Sequence, residues 1–229
     1  AAELYERAVA LDPSHTDVLR PAMIFANTIG RPDVAIRIGH RLQSHDPLCR
    51  ICTYQLVIAY ALARRLTEAE ALARDMVAAG AAMESVLGRI LLLQGRVTEA
   101  LEAFSQLPDE AVRYRLAGEA MALHSLGRPD ASRAALAALA VDADGAGEAR
   151  QLAEIHAWLG EPEASAEWIR KSIASPRPRD MLNRYHVLAS PFLGEVLKRP
   201  ELQADLRALG ASREQLEAIR FEPRLPREP

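Results

Sequence analysis

Lysine is nearly missing from this 229-residue chain: among its 28 basic residues only Lys171 and Lys198 are lysine. With alanine abundant throughout, that arginine bias points to a GC-rich bacterial genome. No uninterrupted apolar run approaches the ~20 residues a membrane helix needs, which excludes a spanning segment and leaves an expected soluble chain. A net charge of -3 and a pI near 6.1 offer no general attraction for nucleic acid, which is bound by clustered Lys and Arg. There is also no glycine-rich phosphate loop, no nucleophile elbow and no His-Glu-x-x-His zinc motif, so the sequence shows no address for catalysis and a non-enzymatic role without cofactor is expected.

What the chain does contain is a period. Gly30-Arg31, Arg64-Arg65, Gly95-Arg96, Gly127-Arg128 and Gly160-Glu161 recur at steps of 34, 31, 32 and 33 residues, and the string Gly-Arg-Pro-Asp occurs twice, at 30 to 33 and at 127 to 130. A small or hydroxylated residue follows each turn by five positions: Ala35, Ala69, Ala100, Ser132 and Ser165. Apolar residues fall at three-and-four spacing on both sides of each turn, as in Leu56, Val57, Tyr60 and Ala61 before Arg64 and Ala69, Leu72, Ala73 and Met76 after it. Each unit is therefore a predicted pair of antiparallel helices of roughly 12 to 15 residues, with the small residue allowing close approach. Pro13 and Pro47, each preceded by Asp, end second helices because proline lacks a donor and its ring clashes with the preceding turn. Later units replace that stop with Ala-Ala-Gly at 78 to 80, Leu107-Pro108-Asp109 and Asp142-Ala143-Asp144-Gly145.

This pattern resembles the tetratricopeptide repeat family over residues 1 to 174. The resemblance is carried by Ala1, Tyr5, Ala8 and Pro13, by Leu19, Ala35 and Pro47, by Tyr60 and Ala69, and by Leu87, Gly88, Ala100 and Phe104. It implies an all-α, right-handed superhelix of stacked helix pairs, the first repeat truncated. Gly39 and Ala73 stand where the family usually has an aromatic residue, and Ser132 and Ser165 where it usually has alanine, departures expected to weaken single units. Residues 152 to 161, 166 to 169 and 200 to 210 are similar to the closing segment of repeat regions in bacterial multidomain signalling and transcription proteins. Residues 175 to 220, with Pro191 and Pro200 as helix breaks, are expected to form a capping set of short helices over the last repeat. Three prolines in the seven residues from Pro223 to Pro229 exclude a regular helix, so 221 to 229 is expected to be an extended tail over the cap or a mobile one.

The chain opens inside a second helix, without a signal-peptide pattern, so a longer parent protein is expected. Cytoplasm is the default location, the periplasm the alternative if a membrane helix precedes the segment.

Stacking in this family places the first helix of each repeat on the concave wall. The resemblance nominates Arg20, Asn27, Tyr54, Arg89, Tyr114, His124, Arg150, Glu154 and Trp158 as a partner-binding groove, with Ile24, Ile58, Leu62, Leu92 and Met121 between them. Aromatic residues and arginine are frequent interface anchors, and a peptide or helix of a protein partner is the expected ligand. The alternative is that Tyr54, Tyr114 and Trp158 pack between helices. Ile24 stands where chaperone-tail receptors of the family use asparagine, so that specificity is not expected.

A second candidate is the group His40, His45, Cys49 and Cys52, ligands of types that zinc accepts. His40 and His45 lie about 140° apart on a helix and would not converge. The cysteines are expected to be buried or half-buried thiols at the start of a helix, open to slow disulfide formation on oxidation. A metal- or redox-responsive element there is one alternative function, and self-association through an exposed helical face another. His124, His156 and His186 fall in different units, without carboxylates at helical spacing.

Overall fold

A computed structural model describes residues 1 to 80, 83 to 141, 146 to 174 and 186 to 226. The expected loop at 142 to 145 and the tail end at 227 to 229 lie outside them, as does the beginning of the expected cap, 175 to 185. The described regular elements are helices: α1 (Ala2–Leu11), α2 (Thr16–Thr28), α3 (Pro32–His45), α4 (Arg50–Leu62), α5 (Leu66–Ala78), α6 (Glu84–Leu93), α7 (Val97–Ser105), α8 (Val112–Ser125), α9 (Pro129–Val141), α10 (Ala146–Trp158) and α11 (Pro162–Ala174). A 3-10 turn, Asp109–Ala111, leads into α8. Short helices follow α11, among them α12 (Gly194–Leu197), α13 (Pro200–Ala208) and α14 (Arg213–Glu217). The architecture is an all-α, tetratricopeptide-like solenoid. From α2 to α9 each helix packs on its chain neighbours, α10 packs on α11, and even-numbered helices also touch the next even-numbered one, α2 with α4, α6 with α8 and α8 with α10.

The recurring turn has one geometry. The residue after the turn position donates its N–H five residues back, as Arg31 to Ala26 (2.9 Å), Arg65 to Tyr60 (2.9 Å), Arg96 to Leu91 (2.9 Å), Arg128 to Leu123 (2.9 Å) and Glu161 to His156 (2.8 Å). This 6→1 bond is the Schellman closure, which satisfies a helix-end carbonyl and requires left-handed backbone at its centre. Glycine supplies it at four of the five turns; Arg64 adopts it at φ 61°. The small residues five positions on are all buried.

The serine departures do not leave buried polar atoms stranded. Ser132 Oγ donates to the carbonyl of Ala120 at 2.6 Å and Ser165 Oγ to that of Ala153 at 2.7 Å, each across its own helix pair. A hydroxyl thus adds a bond between helices where alanine would add contact alone. Gly39 is explained by a neighbour: a Cβ there would stand 2.7 Å from Leu56 Cδ1 and 3.1 Å from Met23 Sδ.

The cap forms its own core, in which Ile169 and Ile173 of α11 meet Val187, Leu193, Val196, Leu202 and Leu206. Pro200 opens α13 at its first turn, where its missing N–H is no loss. Beyond α14 the chain does not lie over the cap alone. It returns to the first repeat, where Phe221 is buried against Phe25 and Arg31 Nη2 donates to the carbonyls of Glu217 (2.9 Å) and Ile219 (3.2 Å). The two ends of the repeat array are thereby joined.

Candidate functional site

The first helices α4, α6, α8 and α10 form the wall of a cavity of about 620 Å³. Arg50, Ile51 and Tyr54 come from α4, Ser85 and Arg89 from α6, Arg113 and Tyr114 from α8, Arg150 from α10 and His186 from the segment 186 to 192 that returns to this wall ahead of α12. Ile51 and Tyr114 are half exposed at its rim, at 50% and 51%. Successive first helices lie side by side, α6 against α8 and α8 against α10, which brings side chains from each of them into one wall.

The floor of the cavity is a buried ion group. Glu154 accepts from Arg89 Nη1 (2.9 Å) and Nη2 (3.0 Å), twice from Arg150 Nη1 (2.8 and 2.9 Å), and from Ser190 Oγ (2.7 Å). Its side chain is 1% exposed. Burial would raise the carboxyl pKa, but the charges of Arg150 and Arg89 and the hydrogen bonds from Arg89 and Ser190 outweigh it and lower the value to about 2. For the base His186 a shift in the same direction favours the neutral form: burial, then the Arg150 charge, lowers its pKa to about 4. It is therefore neutral at pH 7.

Of the nine nominated groove residues, Tyr54, Arg89, Tyr114 and Arg150 line this cavity. Glu154 lies beneath it. Asn27 does not face an open groove; it is 1% exposed and donates to the carbonyl of Gln55 at 3.1 Å, holding α2 to α4. Arg20 pairs with Asp17 at 3.1 Å on its own helix, away from the cavity lining. Trp158 Nε1 donates to Ser125 Oγ at 2.8 Å and its ring meets that of Phe192 at a 60° tilt with centres 5.8 Å apart, with His124 nearby. Beyond the cavity the expected groove is filled by the chain itself: Ser190 sits on Glu154, and Phe192 lies against Trp158 and under Arg89, 4.4 Å from ring centre to guanidinium.

Sequence reasoning missed Arg50, Arg113, His186, Ser190 and Phe192. Arg113 is next to a nominated tyrosine, and Arg50 lies between the two cysteines. Nothing in the sequence tied 186 to 192 to the wall, because that contact joins elements without a shared period.

The expectation of two thiols is corrected. Cys49 and Cys52 form a disulfide with their Cα atoms 5.3 Å apart, and Cys49 Sγ caps α4 by accepting from the Cys52 N–H at 3.3 Å. His40 Nε2 is 2.9 Å from the Tyr60 hydroxyl. Among the described residues no group of three or more His, Cys, Asp and Glu side chains is placed to hold a metal, and His40, His45, Cys49 and Cys52 do not converge. His156 also departs from its expected isolation. Its Nδ1 lies 2.7 Å from Glu161 across the turn after α10, a pairing at a spacing of five that only the turn makes possible.

No family model and no curated protein matches the sequence. Among solved structures, the chain is similar to a tetratricopeptide repeat protein from Parabacteroides merdae ATCC 43184, with a TM-score of 0.60 and 14% identity over 81% of this chain and 75% of the other. At that identity the likeness defines the fold class, a tetratricopeptide-like repeat protein. Among the described residues no helix is long and apolar enough to cross a membrane.

Proposed function

We propose that this chain is a protein-interaction repeat segment, which recognises a short segment of a partner at the open part of its concave face. The observation that carries the reading is the rim of the cavity, where the half-exposed Tyr114 and Ile51 stand beside Tyr54 and arginines on four successive first helices. Aromatic rings next to guanidinium groups combine contact area with directed donors, the composition of interface anchors. The filled part of the groove limits an occupant to the stretch between α4 and α8, so a short peptide or a single helical turn suits it better than a long helix.

The test is capture from native lysate by the wild-type chain and by a Tyr54→Ala, Tyr114→Ala variant of equal helicity. Arg89 is left in place, because its removal would strand Glu154. A protein retained by wild type and lost by the variant supports the reading, and equal retention by both refutes it.

The closing segment's similarity to repeat regions of bacterial signalling and transcription proteins supports a regulatory role within a longer chain, without catalysis by this segment. An open reading frame upstream of residue 1 that encodes a winged-helix, cyclase or kinase domain would bear that out. An uninterrupted continuation of repeats would not.

A further inference from the structure

We infer that the cavity between α4, α6, α8 and α10 is a binding site for a small polyanion, a ligand carrying two or more phosphate or carboxylate groups. The charge balance of its floor argues for it. Two guanidinium groups, Arg89 and Arg150, share the single carboxylate of Glu154, whose two oxygens already accept five hydrogen bonds. The Arg150 and Arg89 side chains are 16% and 21% exposed, so among the described residues of this ion group one positive charge is in excess in a largely desolvated place. Such a charge is costly without a counter-ion. Arg150 also has a buried Nε with no acceptor among the described residues.

The rest of the lining suits the same chemistry. Arg50 and Arg113 stand at the mouth, Tyr54 and Tyr114 add hydroxyl groups, and no carboxylate is among the described residues that line the cavity. Planar guanidinium forks match phosphate and carboxylate oxygens in pairs. A volume of about 620 Å³ is that of a small-molecule site. An extended chain has no onward track here, because Ser190 and Phe192 occupy the adjoining face over Glu154, Arg89 and Trp158. The inference does not rest on partner recognition at the rim: the ligand is small, and the groups that hold it are the arginines.

The experiment is isothermal titration of the 229-residue chain with pyrophosphate, with citrate and with a hexaglutamate peptide, at low salt. Saturable one-to-one binding of pyrophosphate or citrate is expected, weakened at least about tenfold both by Arg150→Gln and by the double variant Arg50→Gln, Arg113→Gln. If Arg150→Gln does not fold, the double variant at the exposed mouth decides alone. Binding of hexaglutamate only, binding of none of the three, or anion binding unchanged in the folded variants would each overturn the inference.

Discussion

Phe221, four residues past α14, packs edge-on against Phe25 of α2 with ring centres 5.1 Å apart, and Phe25 in turn meets Tyr5 of α1 at 5.2 Å. A residue near the end of the chain therefore completes the core of its beginning. In an open solenoid each unit touches only its neighbours and the ends fray independently. Here the two ends are coupled, by this ring contact and by the Arg31 bonds to the carbonyls of Glu217 and Ile219.

Phe221→Ala should accordingly cost about 3 kcal/mol, within the range for emptying a buried aromatic site. Hydrogen exchange should rise both in residues 213 to 226 and in α1. Exchange confined to the C-terminal residues would show that the ends are not coupled.

Phe104 is wedged between two glycines. A Cβ at Gly118 would fall 2.3 Å from its ring and one at Gly88 2.7 Å from it, and the ring is 1% exposed. Gly118→Ala should destabilise by about 1–3 kcal/mol through overpacking, against the gain of up to about 1 kcal/mol that alanine brings to a helix. Urea denaturation of the single variant checks this, and a Gly118→Ala, Phe104→Leu double variant should recover part of the loss.

Arg64 holds the left-handed conformation that glycine holds at the four equivalent turns. A side chain there costs roughly 1–2 kcal/mol of local strain, part of which glycine's larger unfolded-state entropy offsets. Arg64→Gly should raise the melting temperature by about 2 °C, on the scaling that relates 1 kcal/mol to 2–4 °C at this chain length.

Acid should weaken the junction between the wall and the returning segment in two stages. His186 has a folded pKa lowered to about 4, so its neutral form stabilises fully above its ordinary 6.5, and that contribution is lost as pH falls from 6.5 towards 4. Glu154, lowered to about 2, contributes fully above its ordinary 4.5 and loses that contribution as pH falls from there towards 2. The urea midpoint should decline from pH 6.5 downward, and His186→Gln should flatten the profile between 6.5 and 4 while leaving the loss below 4.5. An identical profile in the variant would remove His186 from this account.

Most of the repeat architecture is legible in the sequence because its signals are local. Gly30, Gly95, Gly127 and Gly160 mark Schellman turns, the residue five positions later marks close helix contact, and apolar spacing marks the faces between them. The serine departures show where local reading stops: Ser132 and Ser165 look like weakened positions until the carbonyls of Ala120 and Ala153 are seen opposite them. The same holds for the cavity. Four of its residues were nominated because first helices share a wall, but Arg50, Arg113 and His186 could be assigned to it only by their position in space.

By itself, then, the sequence determined the helices, the turns between them and the order of stacking, since each depends on residues within about one repeat of one another. Tertiary structure alone decided that Glu154 would gather Arg89 from 65 residues away, that Ser190 and Phe192 would fill part of the concave face, and that Phe221 would reach Phe25. Those contacts depend on the curvature that builds up over successive repeats, and no periodic signal in the sequence encodes where that curvature brings the two ends together.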